Sequence, residues 1–588
     1  MLHPHLRKWS QTKTEDMMKR LGQQLLLFFA LASLAACAPT SSPASPLPST
    51  PLRSAQDEAQ RKGEVTPTRA LAVATNAPAA PTPRPTNDPT IQRSNDPTKR
   101  PNIVFILTDD LDYASIPYMP KLKSLVTDQG VTFTNFFINM PLCCPSRTEI
   151  LRGQYAHNTQ ILGNTLPSGG FQKFFQLGEE KSTIATWLQD AGYRTMLAGK
   201  YLNGYPDRSS LMYIPPGWTE WYSAMKGNAY GSYNYTLNEN GKQVAYGTKP
   251  EDYGTDVYAR KTVEFIERSV KENKPFFAYV SVYVPHSPAT PAPRHEKLFP
   301  DNKAPRSPNF NEDDVSDKPT HIRLRPKLTE REIARIDEEH RKRLRSLQAI
   351  DDLVESIVAT LKATGQLDNT YIFFTSDNGF HLGNHRQATG KVAPYEEEIR
   401  VTMLARGPGI PAGKMVEHLT GNIDLAPTFA ELARAKTADF VDGRSLVPLW
   451  SGNLSSSGWR QCFLVENGLW DAQTQTRVAR QMTNTPPELL EPPDMDDEDD
   501  DATPTAQQAR RFAIPAYRGI RTPEYLYVEY INGEKELYDL RIDPYQLNNL
   551  AAKADPARLK ELSARLLELK TCTAEKCRVS ENKPFTSK

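Results

Sequence analysis

Three short apolar runs, each stopping at a cluster of polar groups, constrain the fold of this chain more than any other feature. Ile103–Leu107 ends in Thr108-Asp109-Asp110, Phe276–Val284 in Pro285-His286-Ser287-Pro288, and Tyr371–Phe374 in Thr375-Ser376-Asp377-Asn378. Unbroken apolar runs of this length suit strands of a parallel sheet, which are buried on both faces and can present polar groups only where they end. Helix-forming stretches lie between them, at Ser182–Asp190 and in the long charged segment Glu330–Thr364. The alternation predicts an α/β domain with helices on both faces of a mostly parallel sheet. In such sheets ligands gather at the carboxyl ends of the strands.

The first hundred residues have a different texture. Lys19 and Arg20 precede the apolar run Leu21–Ala36, which Gln23 and Gln24 interrupt and which is too short to span a bilayer, so it reads as a signal peptide. Leu34-Ala35-Ala36-Cys37 matches a bacterial lipobox, in which small residues admit a signal peptidase and the cysteine thiol receives diacylglycerol. Residues 1–37 are therefore expected to be a signal peptide with lipobox. Residues 38–99, dense in Pro, Ala, Ser and Thr, cannot bury enough surface to offset their ordering entropy and are expected to be a disordered tether. The implied protein is exported, extracytoplasmic and attached to a bacterial membrane through a lipid anchor only. With 71 basic and 70 acidic side chains the chain has no overall field toward nucleic acid, which is excluded as a partner class.

The length, 588 residues, argues for more than one domain, and the texture changes again near residue 455. The expectation is a catalytic domain over 100–454 and a smaller α+β domain over 455–588, with aromatic strands at Phe512–Ile520 and Tyr525–Ile531 and a helix at Pro556–Lys570. Asp494–Asp501 is acidic without the glycine turn or ligand spacing of a calcium loop, and reads as a disordered surface loop near 484–508. Cys572 and Cys577 are expected to close a small disulfide in an oxidising compartment, while Cys462 has no assignment.

The residues at the strand ends suggest a hard cation. Asp109, Asp110, Asp377 and Asn378 offer only oxygen ligands, which suit calcium, or magnesium, and suit zinc poorly. Either pair alone is equally explained as helix caps. Just after the strand-like stretch Val131–Phe137 stands Cys143-Cys144-Pro145-Ser146-Arg147, followed by Ile150-Leu151-Arg152-Gly153. Adjacent buried or disulfide-bonded cysteines would be the structural explanation of that string.

The string resembles the sulfatase signature Cys-x-Pro-Ser-Arg. The resemblance implies that a formylglycine-generating enzyme oxidises Cys143 to formylglycine, whose hydrate carries two hydroxyls on one carbon. One can attack sulfur, and loss of a proton from the other expels sulfate. It also implies that Asp109, Asp110, Asp377 and Asn378, with residue 143, hold the cation. Arg147 and Lys200 fall where sulfatases hold the formylglycine and a sulfate oxygen, and His286 and Lys391 where they meet the sulfate and the leaving oxygen. Asn378 separates the chain from the zinc phosphatases of the same superfamily, which usually carry histidine there.

The stretches Gly199–Asn203, Asn309-Phe310-Asn311, Thr375–Gly379 and Arg406–Gly409 are most similar to the N-acetylglucosamine-6-sulfatases and the heparan 6-O-endosulfatases, from Pro101 to about Trp450 and again at Tyr538-Asp539-Leu540 and Asp543-Pro544. The implied fold is a large sulfatase/alkaline-phosphatase-like domain with a central mixed, mostly parallel sheet, and the implied substrate is a sulfated carbohydrate bearing 6-O-sulfated amino sugars. Leu202 stands where many sulfatases have a histidine, which leaves Asn203, His157 and His381 as candidates for the base that expels sulfate or for substrate contacts. His381 and His385 have helical metal-ligand spacing, but Gly383 lies between them and no third nitrogen or thiolate is evident, so a substrate-pocket role is preferred to zinc. Two other readings stand beside this one. A phosphonate or phosphate ester hydrolase of the same superfamily can carry the cysteine signature. A catalytically silent glycan-binding lipoprotein should have lost part of the nucleophile, metal or cation set.

Overall fold

The computed structural model describes residues 100–206, 210–452, 458–468 and 512–586. The signal-like run, Cys37, the 38–99 stretch and the acidic segment lie outside these residues. Among the described residues no helix is long and apolar enough to cross a membrane.

The large sheet is built from β1 (Asn102–Thr108), β2 (Val131–Phe137), β3 (Arg194–Gly199), β4 (Glu220–Gly227), β5 (Tyr235–Glu239), β6 (Lys242–Tyr246), β7 (Phe276–Ser281) and β8 (Thr370–Ser376). A two-residue hairpin, β9 (His381–Leu382) with β10 (Thr389–Gly390), precedes its remaining strands β11 (Arg400–Arg406), β12 (Lys414–Val416) and β13 (Thr420–Gly421). The order is β12-β2-β11-β8-β1-β7-β3-β4-β5-β6, with β13 also on β2. Strands β8, β1, β7, β3 and β4 run parallel, whereas β11, β5 and β6 pair antiparallel, so the sheet is mixed and mostly parallel as expected.

Every residue of β1 is buried, because alternate side chains enter two different cores. Ile103, Phe105 and Leu107 pack with Phe277, Tyr279 and Phe373 on one face. Val104 and Ile106 pack on the other with Val280, Phe374 and the long helix. That helix spans Glu330–Ala363, opened by a reciprocal cap in which Glu332 N donates to Thr329 Oγ1 and Thr329 N donates to the Glu332 carboxylate. Strand β7 stops at Ser281, short of the apolar run's end at Val284, and residues 282–288 become a loop at the sheet edge.

A second sheet, antiparallel, takes the order β14 (Phe463–Asn467), β15 (Tyr517–Arg521), β16 (Tyr525–Tyr530), β17 (Lys535–Asp539). β15 begins at Tyr517, later than the aromatic run suggests, since Pro515 has no N–H to give a ladder. The helix Pro556–Leu569 buries Leu562 and Leu566 with the strands' Leu464, Ile520 and Val528. Phe137, Tyr155 and Tyr395 join the same apolar cluster. Buried ion pairs reinforce it: Arg460 donates to both Asp424 oxygens at 2.6 and 2.9 Å and to Glu581 at 2.8 Å. Cys572 and Cys577 form a disulfide, and Cys462 is a buried free thiol 3.8 Å from Arg565.

Candidate active site

Parallel pairing brings the polar strand ends to one edge. Thr108 lies opposite Ser376, and Ser281 lies between Leu107 and Gly199, so Asp109, Asp377 and Lys200 all emerge together. Gly199 permits the turn into Lys200: its φ is +113°, and a Cβ there would sit 1.8 Å from the Ser281 carbonyl oxygen. The helix Cys143–Arg152, buried along its whole length, starts at this edge and places Cys143 in its first turn.

Cys143 Sγ lies 3.3 Å from Asp109 Oδ1, 3.8 Å from Asp110 Oδ1 and 3.0 Å from Lys391 Nζ. Lys391 reaches both Asp110 oxygens at 2.8 Å, and Lys200 Nζ is 2.6 Å from Asp109 Oδ2. Arg147 Nε donates to Asp377 Oδ2 at 2.8 Å and its Nη1 to Ser281 Oγ at 2.7 Å. Asp377 Oδ1 accepts the backbone N–H groups of Asp110 and Asn378, and Asn378 Nδ2 donates to Asp110 Oδ1 at 2.7 Å. His286 is fully buried, with Nδ1 2.8 Å from the Ser287 carbonyl and Nε2 3.5 Å from Asp110 Oδ2. Tyr230, half-buried, covers this side, its ring 4.7 Å from that of His286 and 5.1 Å from Lys200 Nζ.

Electrostatics follow from this crowding. Burial works to push the Asp109 carboxyl up, but Lys200, Arg147, His286 and Lys391 overcome it and hold Asp109 below the usual carboxylate range. Asp377 moves the other way: burial, then the neighbouring Asp109, push it upward against Arg147. Burial pushes the Cys144 thiol up to about 12, which leaves it protonated and inert beside residue 143. Among the described residues, Asp109, Asp110, Cys143 and Asp377 offer ligand atoms all within 4.8 Å of one another. Asn378 Oδ1 is buried here with no hydrogen-bond donor. Three converging carboxylates and an undonated amide oxygen fit a hard divalent cation.

The structure thus gathers Cys143, Arg147, Lys200, His286, Lys391, Asp109, Asp110, Asp377 and Asn378 at one point. His381 pairs with Gly390 in the hairpin that carries Lys391, its Nδ1 2.9 Å from Glu398. Asn203 lines a separate cavity of about 60 Å³ with Asn164, Gly170 and Gln172. Two candidates stand apart from this cluster. His157 has both ring nitrogens engaged by Glu466 and the Cys572 carbonyl, at 2.9 and 3.0 Å, and braces the disulfide loop. His385 is fully buried between Glu312, 2.6 Å away, Asn309 and the Tyr395 ring. Two site neighbours carry no motif signal: Ser281, lost inside an apolar strand, and Arg343, one charge among many in a long helix. Helical phasing of Arg343 beside Leu344 and Leu347 is the one hint the sequence holds.

Comparison with known proteins gives the family and the fold. The family model described as Sulfatase matches residues 101–435. Human N-acetylglucosamine-6-sulfatase is 37% identical over 503 residues, covering 82% of this chain and 86% of that protein. An arylsulfatase of Volvox carteri is 35% identical over 521 residues, covering 82% and 76%. In fold, the chain is similar to a protein solved in complex with its substrate D-glucosamine-2-N,6-O-disulfate, with TM-score 0.64 and 23% identity over 82% of this chain and 100% of that one. It is also similar in fold to a phosphonate monoester hydrolase from Silicibacter pomeroyi, with TM-score 0.58 and 22% identity over 79% and 93%. The chain belongs to the sulfatase family, the hydrolases of sulfuric esters.

Proposed function

We propose that this sulfatase removes 6-O-sulfate from amino sugars of sulfated glycans, using a formylglycine made from Cys143 by a formylglycine-generating enzyme and a calcium ion held by Asp109, Asp110, Asp377, Asn378 and residue 143. The observation that carries the chemistry is the packing of Cys143 Sγ within 3.3 Å of Asp109 and 3.0 Å of Lys391. Sγ marks where the oxygens of the modified residue would lie. The hydrated aldehyde would supply two hydroxyls on one carbon, and a cation held by Asp109, Asp110, Asp377 and Asn378 would supply positive charge beside them.

The chain's own groups do the rest. Lys200 and Lys391, both buried at the cluster, would neutralise sulfuryl oxygens, a role for fixed cations in a preorganised site. Arg147, tied to Asp377 and Ser281, holds the base of the first helical turn against the β7 edge. The Ser287 carbonyl orients the His286 ring, so Nε2 faces the cluster and is placed to pass a proton to the leaving alcohol. A primary 6-sulfate projects from its ring and can reach this buried point while the sugar stays at the rim beside Tyr230. The glucosamine-6-sulfatase relative and the neighbour bound to a 6-O-sulfated glucosamine support that substrate class. The lipobox reading of Cys37 extends the proposal to an extracytoplasmic, lipid-anchored enzyme.

The test compares kcat/KM of the matured enzyme for N-acetylglucosamine-6-sulfate, a 6-sulfated oligosaccharide, galactose-6-sulfate, nitrophenyl sulfate and a phosphonate monoester. The glucosamine 6-sulfates should lead. A lead for galactose-6-sulfate or the aryl ester removes the substrate assignment, and a lead for the phosphonate removes the sulfate preference itself.

A further inference from the structure

One side chain of the long helix reaches beneath three of the loops that form the site. Arg343 is fully buried; its Nη1 donates to the Pro285 carbonyl at 3.1 Å and its Nη2 to the carbonyl of Asp110. Its guanidinium lies 4.1 Å from the centre of the Phe380 ring. Pro285 precedes His286, Asp110 is itself in the cluster, and Phe380 follows Asp377-Asn378-Gly379. The loops that extend β1, β7 and β8 therefore all rest on one planar cation.

We propose that Arg343 is a positioning residue that sets the spacing of Asp110, His286 and Asn378, and so determines how tightly the site holds its cation. The inference rests on the cation reading proposed above. Burying a guanidinium costs several kcal/mol unless its charge is met, roughly as for any buried ion. Its ion-pair partner among the described residues, Asp112, is 3.4 Å away and shares both oxygens with the Ser115 hydroxyl at 2.8 and 2.9 Å, while the buried Glu339 carboxyl one helical turn back is a second acidic neighbour. The neighbours Leu344 and Leu347 show that an apolar side chain at this height of the helix packs without that cost. What an apolar residue cannot do is donate to two carbonyls at once, and the rigid planar fork of arginine also fixes the separation of its two acceptors, which lysine's rotatable ammonium does not impose.

The carbonyl of Asp110 is the telling acceptor. Asp110 has φ +66°, a left-handed conformation that a residue with a side chain adopts only where its surroundings hold it. That backbone turn is held from behind by Arg343 and from the front by Asp377 Oδ1, which accepts the Asp110 N–H at 3.1 Å. Loss of the rear donor frees the peptide to rotate and carries the carboxylate out of the cluster. A simple strut joining helix to sheet would instead change stability and leave the cation affinity alone.

The experiment titrates calcium into chelator-treated wild type, Arg343→Lys and Phe380→Leu, following the melting temperature and, separately, aryl sulfate turnover. Arg343→Lys should raise the half-saturating calcium concentration by about 10–100-fold, the usual effect of losing a group that orients metal ligands. Phe380→Leu, which removes the stacked ring and spares both carbonyl bonds, should raise it by a few-fold, roughly what loss of one cation–π contact gives. At saturating calcium the KM for aryl sulfate should match the wild type in both. Variants that melt lower yet titrate like the wild type overturn the inference. If Arg343→Lys does not fold, an unchanged titration of Phe380→Leu overturns it and a weakened one supports it. A wild type that shows no calcium-dependent shift instead brings down the cation reading beneath it.

Discussion

Glu180 offers a sharp test of the electrostatics that support the Lys200 loop. Its carboxyl is buried, accepting hydrogen bonds from Tyr201 at 3.0 Å and Tyr213 at 2.9 Å, and Tyr201 directly follows Lys200. Burial pushes it up to about 7 from an ordinary 4.5, the two tyrosine hydroxyls opposing the change. The folded value is the higher one, so the folded protein binds this proton more tightly than the unfolded chain. Its contribution to stability is fully present below about 4.5 and is lost as pH rises through about 7. At about 1.4 kcal/mol for each tenfold change in proton affinity, full loss corresponds to roughly 3 kcal/mol by pH 8. Glu180→Gln keeps the shape and removes the titration. Urea unfolding of both proteins between pH 5 and pH 8 should show the variant gaining on the wild type by up to about 3 kcal/mol across that range, an upper figure because relaxation and water entry lower it. All other titrating groups are common to both proteins and cancel in the difference. A difference that stays flat with pH, or that runs in the opposite direction, would refute the reasoning.

Other expectations address the nucleophile, the cation, the fold and the anchor. In protein made with a maturation enzyme, mass spectrometry should find the aldehyde at residue 143 and an intact thiol at 144; active enzyme retaining the Cys143 thiol contradicts the mechanism. Chelation should abolish turnover, and Asp377→Ala, which takes away the carboxylate bound to Arg147, should lower kcat by orders of magnitude with calcium present. Full activity after exhaustive chelation would end the metal assignment. Arg460→Ala leaves Asp424 and Glu581 buried without their cation and should cost about 3–5 kcal/mol in urea unfolding; a loss under about 1 kcal/mol would mean that water replaces the guanidinium. Cys37→Ser should move the protein out of the membrane fraction, and a wild type already fully soluble removes the lipid-anchor proposal.

The class of sheet and the family were legible in the sequence alone, as were the candidate reacting groups, because each is written in local order. Short unbroken apolar runs suit buried strands, and strands that end in Asp109-Asp110 and Asp377-Asn378 bring oxygen groups to a sheet edge. The string Cys143, Pro145 and Arg147, which the proposed maturation would require an enzyme to read, is linear too. Other features exist only once the chain is packed. That Arg147 belongs to Asp377, 230 residues away, follows from the parallel register of β1, β7 and β8 and from nothing near either residue. His157 and His385 look in the string of letters like candidates for a base or a substrate contact, yet the fold pairs them with Glu466 and Glu312. Arg343 looks like a solvated helix charge, and only the packing of that helix across three loops turns it inward. Local patterns report what a residue can donate or accept, but which partner it meets is decided by distances between segments that the sequence keeps far apart.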